Sequence, residues 1–125
     1  MSPPATTPAL DLERITEDYL AAWASRDPDR IAAMHTDDTR FEIHAGGGPV
    51  HGRAAAREAF AGLFAQWPDF AFEVHRVLLG ERHWVLEWTL TSANLPLLDV
   101  VEVDPDGFVS RKDTYLDPAD LEGLR

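Results

Sequence analysis

Four side chains carry most of the chemistry this sequence could perform. Asp99 stands in the run LPLLDVVEV, where Leu97, Val101 and Val103 recur at every second position. A strand places alternate side chains on one face, so the Asp99 carboxylate points where the apolar residues point. There it can exchange a proton with a bound molecule or sit in an ion pair. Lys112 follows the turn Asp104-Pro105-Asp106-Gly107, in which proline pre-sets φ and glycine supplies a positive φ. Pairing Val103 with Phe108 across that turn sets Asp99 opposite Lys112 and Val101 opposite Ser110. A slip of one residue would set Asp99 against Asp113, a disfavoured like-charge pair. Tyr19 lies within the apolar stripe of a helix, so its hydroxyl needs a partner. His44 ends the segment RFEIH and is a second candidate proton carrier. A non-catalytic reading stands beside this one: Asp99 and Lys112 as a structural ion pair near a sheet end.

The elements that must position these residues follow from periodicity. Met1 to Ala9 holds three prolines among small residues and reads as a disordered tail. From about Leu10 the residues Leu12, Ile15, Tyr19, Ala22 and Trp23 recur at spacings of three and four, one face of a helix. Asp27-Pro28 is a helix start, with Asp as cap and Pro in the first turn. It predicts a short helix through His35 that presents Ile31 and Met34 inward and ends in a polar turn at 36–39. Arg40 to His44 alternates as a strand with Phe41 and Ile43 on the apolar side. Gly52 opens a third helix near Arg53 to Trp67, striped by Ala56, Phe60, Leu63, Phe64 and Trp67. Strands then run over Phe70 to Leu79 and His83 to Ala93, with a turn at Asn94 to Pro96 before the hairpin holding Asp99. Ala119 to Leu124 closes the chain as a helical turn. That order is α+β, a curved and mostly antiparallel sheet with helices on one face.

Composition bounds the partners. The 125 residues make one domain, 10–125, after the tail. A net charge of −11 argues against nucleic acid or an anionic membrane surface. With no cysteine there is neither a disulfide framework nor a thiol nucleophile. No signal peptide or membrane-spanning run stands out, so the default location is cytoplasmic. Gly46-Gly47-Gly48-Pro49 lacks the GK[ST] ending of a phosphate loop. His35, His51, His75 and His83 form no HxH, HxxxH or HExxH pairing, and Ser25, Ser92 and Ser110 lack a nucleophile elbow. No cofactor or metal is expected.

The runs YLAAWASRDPDRIAAMHTDD, HGRAAAREAFAGLFAQWPDFAFEV, VLEWTLT and KDTYLDP resemble the SnoaL-like branch of the nuclear-transport-factor-two-like superfamily, over about Leu10 to Leu121. The resemblance implies a cone-shaped roll with a pocket at its mouth, and commonly a homodimer. It also implies a pocket wall of Trp23, Phe41, Ile43, Trp88, Leu90, Lys112 and Thr114. Ketosteroid isomerases of this superfamily use a tyrosine and a neutral aspartic acid as an oxyanion hole and a second aspartate as base. Tyr19 and Asp99 match the first two positions. The base position falls on Ile43, Glu42 faces away, and His44 is the neighbour that could substitute. Lys112 beside Asp99 would favour a carboxylate over a neutral donor. The Asp-Arg-Asp set of the fold's epoxide hydrolases falls on Trp88, Leu90 and Thr114, which excludes that chemistry. SnoaL-type cyclases use a pocket aspartate and histidine, for which Asp99 and then His44 or His83 are available. Two functions follow: a cyclase- or isomerase-type proton-transfer enzyme acting on an apolar oxygenated molecule, or a non-catalytic ligand-binding or dimerisation module.

Overall fold

In the computed structural model, which describes residues 10–122, the chain begins with helix α1, Leu12–Ala24. Asp11 caps it by accepting from the Arg14 N–H at 3.2 Å, and Leu12, Thr16, Tyr19, Ala22 and Trp23 are buried along one face. The expected tail, Met1 to Ala9, lies outside the described residues. Helix α2, Pro28–Ala32, starts at its cap Asp27, whose Oδ1 accepts from the Asp29 N–H at 3.0 Å. It ends sooner than its periodicity predicts. The residues read as helix end and polar turn instead begin strand β1, His35–Ile43. Thr36 and Thr39 are β-branched, and the extended chain here lets the His35 ring turn inward while Val109 N–H bonds Met34 O at 2.8 Å.

A two-residue strand that the sequence reading lacks, β2 (Val50–His51), pairs antiparallel with β1 ahead of helix α3, Arg53–Gln66. Strands β3 (Phe72–Leu79), β4 (His83–Leu90), β5 (Leu95–Val103) and β6 (Val109–Tyr115) follow, then helix α4, Pro118–Glu122. The strand predicted through Ala93 stops at Leu90, because Thr91–Asn94 forms a turn with Asn94 at φ 50°. The sheet order is β2-β1-β6-β5-β4-β3, antiparallel throughout except for the parallel β1–β6 pair. This is an α+β fold with a curved, open, six-stranded sheet, helices α1 and α3 packing against its concave side and α2 packing on α3. Trp23, Phe41, Phe60 and Phe70 fill the space between the layers. Among the described residues, no helix is long and apolar enough to cross a membrane.

The β5–β6 hairpin corrects the expected register. Val101 lies opposite Lys112 and Asp99 opposite Thr114, two residues away from the predicted pairing. An irregularity between Glu102 and Val103 leaves Val103 against Val109, and Phe108 stays in the turn, 44% exposed. Asp104 Oδ1 explains why, since it accepts from the N–H groups of Asp106 and Phe108 at 3.0 and 2.9 Å. These bonds hold Phe108 out of the ladder. Asp99 and Lys112 nonetheless keep the same face as diagonal neighbours, within the reach of a lysine side chain.

Candidate functional site

Between the concave face of the sheet and helices α1 and α3 lies a cavity of about 90 Å³. Its wall is almost wholly apolar. Trp23, Phe41, Ile43, Trp88, Leu90, Lys112 and Thr114, the residues of the expected pocket, all line it, together with Tyr19 and Asp99.

Two of those residues are charged. Lys112 Nζ lies 3.4 Å from Asp99 Oδ2, with side chains only 5% and 3% exposed. Thr114 Oγ1 donates to Asp99 Oδ1 at 2.7 Å. The ammonium also lies over two aromatic faces, 4.3 Å from the centre of the Trp23 ring and 4.9 Å from that of Tyr19. Burial alone would lower the Lys112 pKa, but the charge of Asp99 and the Tyr19 hydroxyl outweigh it and hold it above the usual lysine value. Lys112 is therefore a fixed cation and a poor amine nucleophile.

Tyr19 reaches a partner the sequence did not suggest. Its hydroxyl is 2.8 Å from His35 Nε2, and His35 Nδ1 is 2.9 Å from Thr39 Oγ1. Thr39 Oγ1 donates its single proton to Val109 O at 3.1 Å, so it must accept from His35 Nδ1. Burial, reinforced by the Lys112 and Arg53 charges, pushes the His35 pKa down to about 3, which keeps the imidazole neutral. Nε2 is thus a bare acceptor, and Tyr19 gives its proton to it. This corrects the expectation of Tyr19 as a donor into the pocket. Burial raises the Tyr19 pKa, with Lys112 opposing, so the phenol stays protonated near neutral pH. Sequence reasoning missed His35 because its partners are 16 residues earlier on α1 and, through Thr39, on β6. No local pattern carries that signal.

His44 is not part of the cavity wall. Ile43 points inward, so its neighbour emerges on the convex face, 2.8 Å from Asp113 Oδ1 and stacked on Tyr115 at 4.2 Å. Glu42, His44 and Asp113 could offer three ligand atoms within 4.8 Å of one another. Their carboxylates are already occupied: Arg40 bridges Glu42 and Asp113 at 2.6 and 3.1 Å, and Arg111 holds Asp113 at 2.7 Å. Burial would raise the Asp113 pKa, yet the donors Arg111, His44 and Arg40 hold it below its usual value. A metal would have to displace two guanidinium groups. His83, the other histidine offered for a cyclase, begins β4 on the exposed side of the molecule.

Among the described residues, the indole nitrogens of Trp23 and Trp88 are buried without a hydrogen-bond partner. Both residues line the cavity.

A family model for the SnoaL-like domain matches residues 16–112. The chain belongs to the SnoaL-like domain family. No curated protein sequence matches it. Its fold is similar to that of a SnoaL-like protein of unknown function from Burkholderia thailandensis E264, at 18% identity and a TM-score of 0.75, covering 89% of this chain and 99% of that one. It is also similar to SalBIII, described as an epoxide hydrolase/cyclase-like enzyme in pyran ring formation in the polyether salinomycin. There the identity is 20% and the TM-score 0.73, over 86% of this chain and 92% of the other. A hypothetical protein with a ketosteroid isomerase-like fold from Catenulispora acidiphila DSM 44928, in complex with trimethylamine, matches at 18% identity and a TM-score of 0.71, over 90% and 88% of the two chains. These SnoaL-like likenesses establish the fold. Chemistry must come from the site, where Ile43 puts a side chain that cannot carry a proton against the cavity.

Proposed function

We propose that this SnoaL-like protein binds an apolar, oxygen-bearing small molecule in the cavity and moves a proton on it. Asp99 accepts the proton, and Lys112 holds the negative charge that develops on the substrate oxygen. The observation that carries this reading is the buried Asp99–Lys112 pair in an otherwise apolar cavity wall. Removing two charges from water is seldom repaid in stability, so such a pair is weak evidence for a structural role. In an apolar, water-poor cavity the same charges act strongly on a bound molecule. In the proposed step a C–H bond next to a carbonyl breaks, its proton passes to Asp99, and its electron pair comes to rest on the oxygen beside Lys112. Return of the proton to a different carbon completes an isomerisation.

The probe is 1-indanone in heavy water, with deuterium entry beside the carbonyl followed by NMR. The wild-type protein accelerates exchange at least tenfold over buffer, and Asp99→Asn loses that acceleration while still binding the ketone. Exchange at the buffer rate with wild-type protein contradicts the proton-transfer reading.

A specific observation favours a second reading, a binding module without chemistry. Both ends of the pair are already engaged, Asp99 by Thr114 and Lys112 by two aromatic faces. On that reading no exchange occurs, and Asp99→Ala costs about 3 kcal/mol in urea unfolding by stranding a buried cation. The same proposal includes pairing of two copies through the convex face of the sheet, where β4 and β5 present Val85, Leu98 and Val100.

A further inference from the structure

Strand β3 stands at one end of the sheet and pairs only with β4, so its other side is a free edge. Among the described residues five large apolar side chains are more than a third exposed. Three of them, Val74, Leu78 and Leu79 at 37, 50 and 47%, lie on this strand. Free edges are commonly guarded by charges, prolines or bulges that spoil pairing with another chain. β3 has a bulge, since Val74 lies opposite Trp88 and Arg76, not His75, lies opposite Glu87. Here the bulge makes the edge more regular in its chemistry. Phe72, Val74, Val77 and Leu79 stand opposite Leu90, Trp88, Leu86 and Trp84 of the cavity wall, so all four face the concave side. Positions 74 and 77 of a regular strand would face opposite ways, and the extra residue brings them onto one face. The backbone follows the same division. Thr91 N–H bonds Ala71 O at 2.9 Å and Gly80 N–H bonds His83 O at 2.7 Å, so alternation turns residues 73, 76 and 78 toward β4. The N–H and C=O groups of Phe72, Val74, Val77 and Leu79 are left along the open edge. The polar side chains lie on the convex side, where Arg76 holds Glu87 at 3.1 Å and His75 Nε2 meets Thr89 Oγ1 at 2.7 Å.

We propose that β3 is a docking edge for a second copy of this chain, whose own β3 pairs with it antiparallel around a twofold axis at the bulge. In that register Phe72 lies opposite Leu79 of the second copy, and Val74 opposite its Val77. Each outward backbone group then meets another outward group, and each concave-side pair is apolar. A register one residue away would set the outward groups against backbone that is turned toward β4. The strand thus complements itself, which is the reason for choosing a second copy over an unrelated peptide. A contact one strand wide buries less surface than a stable complex needs, so the pairing is weak and forms at high protein concentration. It is separate from pairing through the convex face and does not depend on what the cavity binds.

Amide hydrogen exchange of the wild-type protein, followed by NMR at about 50 µM and about 1 mM, reads the edge directly. The amides of Phe72, Val74, Val77 and Leu79 should exchange at least fivefold more slowly at the higher concentration. Exchange that is equally fast at both concentrations overturns the proposal. Slow exchange at both, in a sample that light scattering shows to be monomeric, also overturns it, because the chain would then cover its own edge. The register is tested by cross-linking, since the chain has no cysteine of its own. Residues 73 and 78 oppose each other across the two copies at a non-hydrogen-bonded position, where the Cα atoms come within disulfide range. Mixing Glu73→Cys protein with Leu78→Cys protein under mild oxidation should give mainly the mixed disulfide. Links within each variant as abundant as the mixed one overturn the register. Leu98→Asp, a change on the convex face, should leave both the exchange difference and the mixed disulfide intact. Loss of both in Leu98→Asp would assign the contact to the convex face and overturn the proposal.

Discussion

His35 shows how one residue can be settled by partners that its local sequence does not reveal. Buried and neutral with a pKa of about 3, it binds a proton in the unfolded chain at pH values where the folded protein leaves it bare. Between pH 6.5 and about 3 the unfolded state therefore holds more protons, and stability falls as the pH falls. That loss is about 1.4 kcal/mol per pH unit from this residue alone. Urea unfolding at pH 7, 6, 5 and 4 should show a shallower acid slope in His35→Gln by that amount, on a lower overall stability. Parallel slopes would mean that His35 does not titrate as the structure implies. Other groups lose stability in acid too, Asp113 among them, and the difference between the two proteins isolates the histidine. Asp99 and Lys112 share a face as expected although the register between their strands differs by two residues, because only an odd slip turns a strand's side chains to the other face. Residue types could not show that Tyr19 spends its proton on His35, because that depends on α1, β1 and β6 meeting.

At the scale of elements, the parts of the chain with capping and turn chemistry of their own were legible. Asp27-Pro28 starts α2 where the sequence places it, and the stripe from Leu12 to Trp23 becomes the buried face of α1. The hairpin turn was legible and its register was not, because Asp104 binds two backbone N–H groups and keeps Phe108 out of the ladder. No periodicity encodes that. Gly107 is the point where this turn meets α1. Its φ is 89°, and a Cβ there would stand 3.0 Å from Ile15 Cδ1. Gly107→Ala should lower stability by about 1–2 kcal/mol, from the strained φ and the crowding together. Thermal unfolding followed by circular dichroism tests it, and an unchanged midpoint would show that the turn relaxes without effect on α1.

For the whole molecule, the curved sheet separates two kinds of surface. The concave side holds the apolar cavity with the Asp99–Lys112 ion pair in its wall. The convex side carries the Arg40–Glu42–His44–Asp113–Arg111 network beside Val85, Leu98 and Val100. Pairing of two copies through this side predicts a mass in solution of twice the 13.9 kDa of one chain, by light scattering at micromolar concentration. A mass of one chain would contradict it. Family and fold were legible because the order of elements and their motifs span nearly the whole chain, and residues 16–112 match the SnoaL-like domain. Function was less legible, since the same fold holds different chemistries and the proton carriers here depart from each of the patterns considered. In the proposed function, the Asp99–Lys112 pair acts on a molecule held in the cavity. A crystal structure with 1-indanone tests it most directly. The ketone oxygen should lie within hydrogen-bonding distance of Lys112 Nζ and the adjacent carbon about 3–3.5 Å from an Asp99 oxygen. A ketone bound with its oxygen turned away from Lys112, or bound only on the convex face, would contradict it.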